Sequence, residues 1–386
     1  MFVTRIRLKN WRNFRQVDLP LRDKTYLIGP NASGKSNLLD VFRFLRDISK
    51  PSGGGFQKAV SERRGISKLR CLHNRRDSEV SIEVHLSHSP DDEVPAWRYV
   101  LGFKSEGKGL QRPSIIKEEV WSKDKANPII CRPDEQDKAD SGRLTQTYLE
   151  QINANANFRE IAEFFGSINY LHLLPQLLKA GDKIGGNRLE DDPFGQGFLE
   201  RIANCQPKTR DSRLTKIGKA LQKAVPQFAE IRFIKDQTRE TPHLEALYEH
   251  HRPNAGWQRE DQFSDGTLRL LGLLWSLFEG DSLLLLEEPE LSLNNAIVEQ
   301  IPVLVQRIQR TAKYKRQIII STHSESLLSN PGIDGSGVLL LEPSKEGTQI
   351  RLANKQELEC LKAGFSVAEV LLPKIRPVGA EQLSIF

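Results

Sequence analysis

Residues 25–40 read TYLIGPNASGKSNLLD, and no other stretch restricts the fold so tightly. An apolar run enters a loop with a glycine at each end, and a lysine and a serine follow at once. Positions 29–36 satisfy G-x-x-x-x-G-K-S in full. The motif sits between a predicted strand and a predicted helix, the setting such a loop needs to wrap phosphate oxygens. Gly29 and Gly34 free the backbone, and the helix N-terminus adds its dipole and free N–H groups. Lys35 is expected to reach the β- and γ-phosphates, and Ser36 to ligate Mg2+. Pro30, Asn31, Ala32, Ser33 and Asn37 complete the predicted nucleotide-binding set. The loop therefore implies ATP with Mg2+.

A second motif, LLLLEEPELSL at 283–293, is an apolar strand that ends in acids. A phosphate-binding loop that supports hydrolysis needs one carboxylate for the magnesium shell and another to polarise the attacking water. Glu287 takes the first position and Glu288 the second, with Glu290 close by. Structure alone does not explain acids placed directly after four leucines, because burying an unpartnered carboxylate is costly. FSDGTLRLLGLL (263–274) precedes this strand. In a pattern that resembles ABC-type ATPases, Ser264 would cap the predicted helix and, with Asp265 and Gly266, face a γ-phosphate. IIISTHSESLL (318–328) places His323 just past the next buried strand, where it can contact the γ-phosphate or the attacking water. Singly, Ser264 is an ordinary cap and His323 an ordinary turn residue. Their order and spacing favour function.

Around these motifs the pattern is α/β. Strands are predicted around Phe2–Leu8, Phe14–Leu19, 79–87, 98–103, 114–122, 229–236, 243–250, 282–287, 317–322, 337–342 and 348–352. The runs Leu283–Leu286 and Ile318–Ile320 are apolar throughout, as in parallel strands buried on both faces. Residues 79–87 alternate and, with 98–103 and 114–122 as partners, read as antiparallel strands. The polar stretch 132–142 reads as an exposed loop. The expected units are an N-terminal lobe with an antiparallel subdomain (1–142), a mainly helical insertion (143–225), a C-terminal lobe (226–364) and a tail (365–386).

The chain has 386 residues and a net charge of +6, concentrated in three stretches. Residues 61–76 hold six Arg/Lys against one acid, 201–239 ten against three, and 306–316 five against none. Such stretches fit a phosphate-backbone footprint and therefore DNA, with a solvated basic face as the alternative. The four cysteines lack metal-ligand spacing. No apolar run reaches the roughly 20 residues that span a bilayer. The N-terminus reads as a strand rather than a leader, so a cytoplasmic location is expected.

The motifs RIRLKNWRNF, GPNASGKSN, FSDGTLRLL, LEEPELSLN and STHSESLL resemble the ABC-type ATPase heads of the RecF, SMC and OLD group. The resemblance implies an ATPase fold with a mixed central sheet, and a homodimer that sandwiches ATP between two heads. It implies that Arg12 and Asn13 touch the nucleotide, and that Ser292 to Asn294 form a loop across the dimer. Asp265 stands where transporters carry glycine, and the magnesium carboxylate is glutamate rather than aspartate. Gln57 and Gln111 are the candidates for the glutamine that such heads place near the γ-phosphate. The residues after His323 leave no room for the Toprim nuclease of OLD proteins, and the insertion is too short for SMC arms. Stand-alone OLD-like ATPases of bacterial anti-phage systems are the nearest pattern, and they imply a separately encoded effector. A RecF-like repair ATPase and a slowly hydrolysing scaffold are the alternatives.

Overall fold

The computed structural model describes residues 1–50, 52–74, 77–107, 112–180, 194–236, 240–249, 256–311 and 315–375. The strands run in chain order from β1 (Phe2–Trp11), β2 (Phe14–Pro20), β3 (Lys24–Ile28) and β4 (Val80–Ser87) to β5 (Trp97–Ser105), β6 (Pro113–Ser122) and β7 (Ile130–Arg132). Then come β8 (Asn169–Leu171), β9 (Phe228–Lys235), β10 (Pro242–Tyr248), β11 (Trp257–Arg259) and β12 (Leu284–Glu287). Strands β13 (Ile318–Thr322), β14 (Val338–Ser344) and β15 (Gly347–Leu352) complete the set.

Three sheets result. The central one has the order β15-β14-β3-β13-β12-β8 and is parallel except at β15. Its strands are apolar throughout because both faces are covered. Leu27, Leu285, Ile319, Leu339 and Leu341 enter a core shared with the helix Lys35–Ser49 and the N-terminal sheet. Their neighbours Tyr26, Ile28, Leu284, Leu286, Ile318, Ile320 and Leu340 enter a second core, shared with the helix Asp265–Phe278. Period-two alternation thus feeds two cores instead of one core and solvent.

The N-terminal sheet, β2-β1-β4-β5-β6-β7, is antiparallel. Strand β4 alternates as predicted, with Val80, Ile82, Val84 and Leu86 fully buried. Strands β9, β10 and β11 form a separate three-stranded sheet, a partition that the alternation did not reveal.

Two local expectations fail. The stretch 132–142 is more than an exposed loop, because it contains the helix Glu135–Ala139. Arg132 pairs there with Glu118 at 2.9 Å and Asp137 at 2.8 Å, all three side chains buried. The segment 143–225, expected to be mainly helical, also supplies β8, which pairs in parallel with β12. Among the described residues, no helix is long and apolar enough to cross a membrane.

Candidate functional site

Strands β3, β12 and β13 lie side by side in parallel, so their carboxyl ends open on one edge of the sheet. Three sequence motifs distant along the chain therefore meet at one place. The phosphate-binding loop turns with Ala32 at φ 64° and Gly34 at φ 100°. Both lie in the left-handed region, a backbone shape found in anion-binding concavities. The φ of position 34 calls for glycine, and a Cβ there would also displace the Asn13 side-chain amide.

The Lys35 ammonium donates to the carbonyls of Gly29 at 2.8 Å and Pro30 at 3.1 Å. Burial depresses its pKa, opposed by Glu288, Glu287 and Glu290. A desolvated cation resting on two loop carbonyls is poised to take a phosphate oxygen. The Ser36 hydroxyl donates to Glu287 Oε1. The two predicted magnesium ligands are therefore already in contact, and both are the hard oxygen donors that Mg2+ prefers. This donor pair fits the ion.

Glu288 has φ 44°, rare for a residue with a side chain and a frequent mark of functional sites. His323 Nδ1 lies 3.1 Å from Glu288 Oε1. An ionised carboxylate can only accept, so the imidazole nitrogen facing it carries the proton. Glu290 plays a different part. It is buried and accepts from Thr322 Oγ1 at 2.5 Å and from the His323 N–H at 3.4 Å. Burial raises its pKa. It holds the start of the His323 turn.

Arg12 and Asn13 lie in the β1–β2 turn against the first turns of the helix Lys35–Ser49. Asn13 donates to the Ser33 carbonyl at 3.0 Å and accepts from Asn37 Nδ2 at 2.8 Å. Arg12 reaches Asp40 at 2.6 Å. Trp11 Nε1 donates to the Asn37 carbonyl at 2.8 Å. This turn braces the loop and the start of the helix.

Ser264 caps its helix by accepting from the Thr267 N–H at 3.1 Å, and is exposed. Asp265 is tied to Lys179 at 2.7 Å and to Gln176 at 2.8 Å. A Cβ on Gly266 would approach the Ser292 carbonyl to 2.8 Å, so this glycine lets the two loops touch. Ser292 itself has φ 62°. Among the described hydrogen bonds, none joins residues 264–266 to the phosphate-binding loop of the same chain.

Sequence reasoning missed Tyr170, His172 and Arg269. Tyr170, on β8, donates its hydroxyl to Glu287 Oε2. His172 Nδ1 lies 3.3 Å from the Glu287 carbonyl. Arg269 is buried, with Nη1 3.4 Å from the Glu288 carbonyl. The alternation of INYLHLL (168–174) was the available signal for a strand inside the helical segment. Of the two glutamine candidates, Gln57 spends its amide on the carbonyls of Pro113 at 2.9 Å and Thr145 at 2.8 Å. Gln111 lies outside the described residues.

The basic stretches also divide. Arg63 is buried between Asp40 and Asp47, with both contacts within 2.9 Å. Arg316 is buried and donates to the carbonyls of Ser282, Ser276 and Glu279. Neither is a surface charge, which corrects the inclusion of both in a phosphate footprint. Arg75 and Arg76 lie outside the described residues. Lys208, Lys216, Lys219 and Lys223, on the helix Pro207–Ala224, are exposed.

Sheet order, loop and converging acids define a P-loop protein with an ABC-type ATPase head fold. The chain is similar to the structure of an SmcHead bound to the C-winged helix domain of ScpA. That similarity has a TM-score of 0.58 and 15% identity, and covers 92% of this chain and 99% of the other. An Smc head domain from Pyrococcus furiosus, with an extended coiled coil and bound to the C-terminal domain of ScpA, matches at TM-score 0.54 and 13% identity. It covers 94% of this chain and 99% of that one. The chain belongs to the AAA_21 family, described as "AAA domain, putative AbiEii toxin, Type IV TA system", whose model matches residues 24–329. DNA replication and repair protein RecF of Bacillus mycoides (strain KBAB4) is 31% identical over 88 residues, 22% of this chain and 24% of that protein. The RecF of Bacillus cytotoxicus matches with the same identity and coverage. The chain thus spans about a quarter of the length of the curated relatives it matches.

Proposed function

We propose that the protein binds ATP with Mg2+ and hydrolyses it. The observation that carries this reading is the convergence of Lys35, Ser36, Glu287, Glu288 and His323 at the ends of three adjacent parallel strands. Gly29 to Asn37 enclose the phosphates, and Lys35 leaves its loop carbonyls for the β- and γ-oxygens. Ser36 and Glu287 would hold Mg2+, which supplies charge neutralisation between the β- and γ-phosphates. Glu288 accepts a proton from water as its oxygen bonds to the γ-phosphorus and the bond to the β–γ bridging oxygen breaks. The products are ADP and phosphate. His323 orients Glu288 through its Nδ1–H and lies where it can contact the γ-phosphate or the attacking water. Arg12 and Asn13 keep the loop in its binding shape and border the nucleotide.

Ser264, Asp265 and Gly266 form a capped helix start with no bond to their own phosphate loop. They complete the site of a second copy, so ATP closes a homodimer and hydrolysis opens it. Ser292 to Asn294 pass through the same junction. The output passes to a separately encoded effector. A family description that names a toxin–antitoxin system, together with the anti-phage pattern in the motifs, supports a defence role. The RecF similarity favours a second reading, an ATPase of DNA repair that takes duplex DNA on exposed lysines such as Lys216, Lys219 and Lys223.

The deciding experiment is steady-state phosphate release with and without Mg2+, in the purified wild type and in Glu288→Gln. Mg2+-dependent release that the substitution abolishes supports the reading. Release that persists unchanged in Glu288→Gln overturns it.

A further inference from the structure

Tyr170 has no place among the nucleotide motifs, yet its hydroxyl meets the carboxylate on which the magnesium site depends. Glu287 is gripped from two sides. Ser36 donates to Oε1 and Tyr170 to Oε2. The tyrosine is itself held: the Arg43 guanidinium lies over its ring, 4.3 Å from the centroid. Arg43 lies 3.9 Å from Asp40, which also takes Arg12 at 2.6 Å. A chain of contacts therefore runs from the β1–β2 turn through the helix Lys35–Ser49 to the edge strand β8, and ends on the second oxygen of Glu287.

A carboxylate with one oxygen bonded is free to swing about its last torsion, whereas one with both oxygens bonded is not. Groups that orient a metal ligand from behind typically change metal affinity by 10- to 100-fold when removed. We propose that Tyr170 is a positioning residue for Glu287, holding Oε2 so that Oε1 faces Ser36 and the metal. The inference rests on the reading of Glu287 as the magnesium carboxylate. It adds that β8, from the inserted segment, sets the metal affinity of the site.

The test is Tyr170→Phe, which keeps the ring beneath Arg43 and removes only the hydroxyl. The readout is equilibrium binding of a fluorescent non-hydrolysable ATP analogue, titrated with MgCl2 and repeated in EDTA. The Mg2+ midpoint should rise roughly tenfold, with analogue affinity in EDTA unchanged. A midpoint that stays or falls overturns the proposal. So does equal weakening in Mg2+ and in EDTA, the signature of a merely structural tyrosine. If wild type binds the analogue without any Mg2+ dependence, the magnesium reading of Glu287 fails and the proposal falls with it. Arg43→Met leaves the hydroxyl in place and loosens the ring. It should shift the Mg2+ midpoint in the same direction by less, and an unshifted midpoint in that variant counts against the contact chain.

Discussion

In the proposed ATPase, two single side chains are expected to separate binding from turnover. Glu288→Gln keeps the volume and the contact with His323 but cannot take a proton. Turnover should fall by about 100-fold or more, with analogue affinity retained in an equilibrium titration. Lys35→Ala acts the other way, because the ammonium meets phosphate charge directly. Losing a charge-assisted hydrogen bond of about 1.5–3 kcal/mol should weaken analogue binding by about 10- to 100-fold, readable in the same titration. That Lys35, Ser36, Glu287 and Glu288 come together was legible because residue type and spacing mark the loop and the strand end. Tyr170 was not, because a tyrosine in the middle of a three-residue strand looks like any half-buried aromatic until β12 lies beside it.

At the scale of elements, the helix Asp265–Phe278 and the Arg132–Asp137 contact on the N-terminal sheet each make a prediction. Ser264 is exposed at the start of the helix Asp265–Phe278. Ser264→Arg places a bulky cation where a second head's nucleotide would dock. Hydrolysis should drop to background while analogue binding by dilute protein stays within about twofold of wild type. Full hydrolysis in this variant would remove the helix from the site. The contact concerns Asp137, which Arg132 and the N–H of Asp134 hold in its charged form. Its pKa is lowered from 3.8 to about 2, first through the Arg132 hydrogen bonds. A carboxylate with a depressed folded-state pKa adds stability above its unfolded value and loses it as pH falls through the folded one. Asp137→Asn should therefore cost about 3 kcal/mol near neutral pH. The gap to wild type should shrink as pH falls from 4 toward 2, as followed by urea unfolding.

At the scale of the molecule, the reading requires two copies. Hydrolysis per chain should fall on dilution in the presence of ATP, and sedimentation of Glu288→Gln with ATP should show a dimer. A specific rate that stays constant far below the dimerisation constant would argue for a self-sufficient head. The DNA reading is tested on the helix Pro207–Ala224. Reversal of Lys216, Lys219 and Lys223 to glutamate should weaken duplex binding and flatten its dependence on salt, because each neutralised phosphate releases counterions. Equal binding by wild type and variant at low salt would leave those lysines as a solvated face.

The motifs and most strands could be read from residues 1–386 directly, because each is a local pattern. A loop needs its glycines at fixed spacing, and a strand buried on both faces shows as an unbroken apolar run. Leu284–Leu286 and Ile318–Ile320 were recognisable for that reason. The partners of a charge are not local. Arg63 read as a surface cation until Asp40 and Asp47 closed on it, and Arg316 until three carbonyls enclosed it. Sheet membership is not local either: β8 comes from a helical stretch, and β9 to β11 alternate as any antiparallel strands would. Burial and pairing depend on what the rest of the chain brings alongside. For this reason Tyr170, more than 100 residues before Glu287 in sequence, became part of the site only when β8 paired with β12.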